Sequence, residues 1–194
     1  MGFLFGSKST PTVPTVTHPA QTAPQVTPKP PSPTQPPEVS QEYASAVAQI
    51  ESSGNPYAQA PGSSALGLYQ FTSGTWLAVM QQAPQLNLTL TGRTDPAEAT
   101  RAFDWLTEQN DQVFNTRAGR FPTDPERYLC WFLGVGRAVD VCSVPASTPL
   151  QEALGDAYAG VCSANPFVTS LVTTGDLVNW SANRLASVGE CQGA

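Results

Sequence analysis

Ten of the chain's 19 prolines fall between Pro11 and Pro37, interleaved with Thr, Val, Gln and Ser. Each proline removes a backbone donor and fixes φ, so this stretch can form neither a helix nor a central strand. An extended, polyproline-like spacer is expected, semi-rigid rather than collapsed. Folding is thereby confined to the residues after Pro37. The sequence divides into a proline-rich flexible segment over 1–38 and a folded domain over 39–190, within a chain of 194 residues. The second part has the size of one ordinary domain.

From Val39 onwards the pattern is helical. Tyr43, Ala46, Val47 and Ile50 share one face of a helix over 40–52, with Ser40 as its N-cap and Gly54-Asn55-Pro56 as its stop. Residues 57–72 are rich in Gly, Ser and Pro and read as an irregular loop. Ser73 is the expected cap of a helix through Trp76, Val79 and Met80. Asp95-Pro96 opens a long helix over 96–115, with Ala99, Ala102, Phe103, Leu106 and Val113 at helical spacing. Asp124-Pro125 repeats that start signal before Tyr128, Leu129, Trp131, Phe132 and Leu133. Two further amphipathic helices are expected over 150–159 and 174–187. No alternating strand of useful length and no internal repeat occurs, so the fold class is mainly α.

Charge excludes some functions. Only 12% of residues are charged and the formal net charge is -6, with no Lys after Lys29. A general nucleic-acid binder needs clustered cations, so nucleic acid is not an expected partner. The acidity also opposes long-range steering towards any anionic polymer, which positive charge would supply. The one histidine, His18, lies in the proline-rich segment. A histidine triad or zinc site in the folded part is thereby excluded, and no metal or organic cofactor is implied. Cys130, Cys142, Cys162 and Cys191 lack C-x-x-C spacing. Cys142 with Cys162 is the first pairing to test, whereas Cys130 reads as a buried thiol on an apolar helix. Met1–Lys8 has neither the basic region nor the apolar length of a signal peptide.

A carboxyl that serves as a general acid must stay protonated near neutral pH. Burial beside apolar groups and the negative end of a helix both raise a carboxyl pKa. Glu51 closes the first helix beside Ile50, four residues after Val47, and the adjoining turn would open it to a cleft. A solvated helix-end carboxylate has the same local pattern, and the local residues leave both readings open.

The wider sequence adds to this. Glu51-Ser52-Ser53-Gly54-Asn55-Pro56, then Ser64-Ala65-Leu66-Gly67-Leu68-Tyr69-Gln70-Phe71 and Thr75-Trp76, resembles the soluble lytic transglycosylase (SLT) domain. Tyr128-Leu129-Cys130-Trp131-Phe132-Leu133-Gly134 is similar to that family's third signature element, with Trp131 where the closest branch has His. The resemblance spans roughly residues 43–188. It implies a lysozyme-like (goose-type/SLT) domain that cuts the β-1,4 bond between N-acetylmuramic acid and N-acetylglucosamine in peptidoglycan glycan strands. One glutamate first protonates the leaving oxygen and then acts as base. The muramoyl C6 hydroxyl attacks, giving a 1,6-anhydro product, so the two-carboxylate scheme of most glycosidases is not required.

Carried over by residue, the resemblance makes Glu51 catalytic. Ser64 would hydrogen-bond near its carboxyl, and Gln70 would contact the sugar or the reactive hydroxyl. Tyr69 would stack on a sugar or line the acid's pocket, and Tyr128 would orient Glu51. Asp95, Glu98 and Asp104 are rival acids whose positions favour capping or solvation. Phe71, Trp76 and Trp131 read as core. Two other functions compete: a muramidase of a secretion or conjugation system, and a non-catalytic wall-binding structural module. The proline-rich spacer and single wall-cutting domain suggest a bacteriophage virion protein that opens the wall during entry and acts in the host periplasm. The alternative location is the bacterial periplasm. The N-terminal segment is then the candidate link to other virion or envelope proteins.

Overall fold

In a computed structural model, which describes residues 35–189, every extended element is a helix. Most of the proline-rich segment, and Cys191, lie outside the described residues. Among the described residues there are isolated β-bridges but no strand, and no helix is long and apolar enough to cross a membrane.

Local chemistry sets the helix starts. The Ser40 hydroxyl accepts from the Tyr43 N–H at 3.1 Å and opens α1, Gln41–Ser52. Helix α2, Ser73–Gln82, is capped one residue earlier than expected: Thr72, not Ser73, accepts from the Thr75 N–H at 3.2 Å. Asp95 caps α3, Pro96–Ala118, by accepting from the Glu98 N–H at 2.9 Å. Helix α4, Asp124–Leu133, is likewise capped one residue earlier than expected, by Thr123 rather than Asp124. Its third residue, Glu126, reaches back to the N–H and hydroxyl of Thr123 at 2.8 and 2.9 Å. That reach-back bond is half of a capping box.

The long α3 departs from its expected face. Ala99, Ala102 and Phe103 are buried, but Val113 is 41% exposed while Asp111 and Phe114 are fully buried. The first half of α3 packs with α1 and α2, and the second half with the later helices, so the buried side rotates along its length. Gly134 separates α4 from α5, Val135–Cys142, a helix the sequence pattern did not indicate. The helix expected over 150–159 is broken. Gly155, at φ 50 and ψ -131, ends α6, Leu150–Leu154, and a single tight turn leads into α7, Tyr158–Ala164. Only glycine tolerates such a conformation cheaply. The last helix, α8, Thr174–Gly189, returns against α1 and α4.

Two apolar clusters result, one around α1–α3 and one around α4–α8, and Trp180 packs against both. Phe71 and Trp76 are core side chains, as expected. Trp131 is half-buried and meets Phe71 and Phe103 edge-on at 5.1 and 5.0 Å. Cys130 is a buried free thiol, and Cys142 and Cys162 are also free, so the pairing of Cys142 with Cys162 is not formed. Burial pushes the Cys142 thiol up to about 12, a value at which the reactive thiolate is scarce.

One buried cation ties these parts. Arg127 on α4 donates through Nε and Nη2 to Asp111 Oδ2 on α3, at 2.9 and 2.7 Å. Its other bonds reach Asp124 and the Pro37 carbonyl, both at 2.9 Å, and its guanidinium lies 5.9 Å from the centre of the Tyr43 ring on α1. Removing one partner of such a pair strands a buried charge. Arg127→Ala is expected to cost about 3–5 kcal/mol in urea unfolding. Arg127→Met with Asp111→Leu should recover most of that loss, and a double variant no more stable than the single one would refute the electrostatic account.

Candidate active site

The Glu51 motif is first a device for ending a helix. Ser53 and Gly54 adopt φ 54 and φ 72, and their N–H groups return to Gln49 and Ala48 at 3.0 and 3.2 Å. Asn55 then accepts from the Tyr57 N–H at 2.9 Å. Two successive left-handed residues turn the chain sharply away, leaving Glu51 half-buried in the final turn of α1.

The next loop is built on Gly67. Its φ is 85°, and a Cβ there would sit 1.9 Å from the Arg93 carbonyl oxygen, so no larger residue fits. Its N–H donates to the Ala58 carbonyl at 2.9 Å. Gln70, itself at φ 51, pins the same turn: its Nε2 donates to the carbonyls of Ala58 and Gly67 at 3.0 and 2.9 Å. Arg93 closes the loop from outside, donating to the carbonyls of Ser64 and Phe71 at 2.7 and 3.2 Å.

Helix α4 delivers the partner of the acid. The Tyr128 hydroxyl donates to Glu51 Oε1 at 3.0 Å, across 77 positions of sequence. The Tyr128 ring is backed by Trp180 of α8, with centroids 5.9 Å apart, and Trp180 stacks in turn on Phe167 at 4.7 Å. The Arg184 guanidinium, one helical turn beyond Trp180, lies against the Tyr128 hydroxyl. Burial raises the Glu51 carboxyl above its ordinary value. The Tyr128 hydrogen bond and the Arg184 charge oppose that shift without cancelling it. Burial, and after it the Glu51 charge, likewise raises Tyr128.

The other expected site residues divide between the site and the scaffold. Gln70 borders a cavity of about 250 Å³ shared with Thr75, Leu106, Asn110 and Trp131. The exposed Ser64 accepts from the Ser73 N–H at 3.2 Å, so its hydroxyl serves the start of α2 rather than the Glu51 carboxyl. Tyr69 is 3% exposed, its ring stacked on Phe103 at 4.1 Å and its hydroxyl 3.2 Å from Thr100 Oγ1. Sugar stacking on Tyr69 is therefore corrected: a face packed against Phe103 has no room for a sugar. Among rival acids, Asp95 is a cap, and Glu98 accepts from the N–H and hydroxyl of Thr89. Asp104 is half-buried rather than solvated and is pushed up to about 6, by burial first and by Glu108 second. It is not among the charges acting on Glu51.

Trp180 and Arg184 escaped sequence reasoning. Their spacing of one turn on a charge-poor helix was the available signal, but nothing local distinguishes such an arginine from a solvated one. Among the described residues, no group of three or more His, Cys, Asp or Glu side chains could hold a metal ion.

Comparison with known proteins adds one finding. No curated protein matches the chain. Residues 32–120, which include the Glu51 turn and the Gly67–Gln70 loop, match the family described as Transglycosylase SLT domain. The half-buried glutamate at a helix end and the glycine-pinned loop after it thus lie in the part of the chain that is similar to the Transglycosylase SLT domain, a lysozyme-like family.

Proposed function

We propose that the protein is a peptidoglycan lytic transglycosylase in which Glu51 is the single acid and base. The observation that carries this reading is the state of Glu51: half-buried, raised by desolvation, and held by the Tyr128 hydroxyl at 3.0 Å. A raised pKa favours the protonated carboxyl that a donor to the leaving glycosidic oxygen requires. Once that proton has gone, the Tyr128 hydrogen bond and the Arg184 charge favour the carboxylate. The carboxylate then takes the proton of the muramoyl C6 hydroxyl as that oxygen closes on C1. One bond is exchanged for another, the proton returns to Glu51, and no water is consumed. The fit with a lone acid is that Asp95 and Glu98 are committed to capping and loop closure. Gln70 and Ser64 border the sugar in this reading, and Tyr128 positions the acid.

The domain over 39–190 is the wall-cutting unit, and residues 1–38 act as a spacer towards other virion or envelope proteins. We assign the activity to local wall opening in phage entry, within the host periplasm. Detection of the protein in purified virions is the expected result, and its absence from them would return the assignment to a bacterial periplasmic enzyme.

Glu51→Gln keeps the shape and the Tyr128 acceptor but cannot donate and reclaim a proton. Its wall-clearing activity in a zymogram is expected to fall by at least about 100-fold. Mass spectrometry of the wild-type digest should show 1,6-anhydromuramoyl ends, and reducing muramoyl ends would identify a hydrolase instead. Tyr128→Phe removes an interaction that lowers the acid's pKa. Its activity should drop, and the alkaline limb of its pH profile should move to higher pH.

Stability gives a separate check. A carboxyl whose folded pKa lies above its unfolded value contributes most below the unfolded pKa, and that contribution is lost as pH rises through the folded pKa. Glu51→Gln should therefore be more stable than wild type at pH 7 by urea denaturation. The difference should shrink towards pH 4, and one of equal size at both pH values would contradict a raised folded pKa.

A further inference from the structure

Trp180 stands where the two apolar clusters meet, and it packs against both. Its indole stacks on the Tyr128 ring, with centroids 5.9 Å apart and planes 28° from parallel. Two further rings confine the indole. Phe132, one turn beyond Tyr128 on α4, meets it at 5.0 Å, and Phe167, in the tight turn Pro166–Ser170, stacks on it at 4.7 Å. We infer that Trp180 is a positioning residue: by fixing the Tyr128 ring, it keeps the Tyr128 hydroxyl on the Glu51 carboxyl. Its bearing on catalysis rests on the transglycosylase reading, to which it adds a residue acting through Tyr128.

A tyrosine hydroxyl lies at the far end of its ring, so it swings with any rotation about Cα–Cβ. The bond from Tyr128 to Glu51 spans 3.0 Å, and such bonds weaken steeply as they bend. A working constellation has to be held to within about 0.5 Å. One hydrogen bond, which water can replace, is a weak constraint on that scale. A packed aromatic face is a stronger one. Leu177 and Ser181, which flank Trp180 on α8, are fully buried, so the backbone carrying the indole is itself held. Two groups act on the Glu51 charge: the Tyr128 hydroxyl from α4 and the Arg184 guanidinium from α8, both opposing the rise that burial imposes. Loosening Tyr128 removes one of them and lets the carboxyl pKa rise. Water admitted to the site would lower it instead. Arg184 shares α8 with Trp180 but acts on Glu51 by charge, so its effect survives loss of the Tyr128 hydroxyl.

The test reads the Glu51 carboxyl of the full chain by 13C NMR titration, its resonance assigned by its absence from Glu51→Gln. Activity is followed across pH as release of soluble muropeptides from purified sacculi. Trp180→Leu should raise the Glu51 pKa and move the alkaline limb of activity to higher pH, as Tyr128→Phe does but by less. Its rate at the optimum should fall about tenfold, short of the roughly 100-fold that a misplacement of about 1 Å costs. Trp180→Phe, which keeps a ring against Tyr128, should restore most of the wild-type pKa and rate. In the Tyr128→Phe background, Trp180→Leu should leave the pKa where Tyr128→Phe put it. A pKa unmoved by Trp180→Leu would overturn the inference, because packing would then be the whole role of Trp180. So would a lowered pKa, the sign of water reaching Glu51, or a further rise in the Tyr128→Phe background, the sign of a displaced Arg184. If Trp180→Leu does not fold, Phe167→Ala takes its place, since Phe167 is 39% exposed and props the indole from outside. The same directions are then expected, with smaller shifts. A wild type that cuts no sacculi would overturn the transglycosylase reading, while the NMR titration would still decide whether Trp180 governs the bond from Tyr128 to Glu51.

Discussion

The buried pair of Arg127 and Asp111 is the contact on which the rest of the arrangement turns. Asp111 is wholly enclosed, and Arg127 is 6% exposed. Neither charge could sit there alone, because an isolated ion in a protein interior costs several kcal/mol. With the guanidinium shared among Asp111, Asp124 and the Pro37 carbonyl, and lying over Tyr43, three parts of the chain must meet at one point. Those parts are the second half of α3, the start of α4 and the approach to α1. Tyr128 is the next residue. Once Arg127 is fixed, the direction of Tyr128 is fixed too, and it meets the last turn of α1 at Glu51. The ion pair does not touch the candidate acid, yet it sets the register between the two helices that build it.

That register decides the electrostatics. Glu51 experiences opposing influences, of which burial is the largest. A fully exposed carboxyl would be ionised at neutral pH and unable to donate. A fully enclosed one without partners would hold its proton too tightly to act as a base. The Tyr128 hydroxyl and Arg184 act against the shift that burial imposes on Glu51, and both depend on α4 and α8 packing together. The cost is borne by the fold, since a carboxyl raised by desolvation weakens the folded state near neutral pH.

Much of this was legible in the sequence where local chemistry is decisive. Ser40, Asp95 and Gly54-Asn55-Pro56 mark their helix ends through bonds between near neighbours, and the structure makes them. Thr72 and Thr123 show the limit: adjacent Ser73 and Asp124 are equally good caps by type, and only the bonds actually formed distinguish them. Gly155 stood inside an apparently continuous amphipathic stretch, and its break shows only in the backbone it adopts, at φ 50 and ψ -131. The Glu51 and Gly67 turns were readable because glycine and proline are scarce solutions to severe backbone demands. Tyr69 was not, since an aromatic beside a signature glutamine looks the same whether it faces a sugar or Phe103. Trp180 and Arg184 were least visible of all. Their importance comes from Tyr128, more than 50 positions away, and no periodicity within α8 encodes that meeting.

The acidic net charge takes on a different meaning beside this site. A net charge of -6 opposes long-range capture by an anionic polymer, so affinity must come from contacts at close range. At that range the distribution of charge matters more than its sum, because salt screens interactions beyond about 8–10 Å. Arg117, Arg120 and Arg127 are consumed in ion pairs, and Arg93 is spent on backbone carbonyls of the Gly67 loop. Arg184 faces a groove instead. Arg101, Arg137 and Arg184 are exposed and form no ion pair among the described residues, so any close-range pull on an anion comes from a few scattered positions rather than from the net charge.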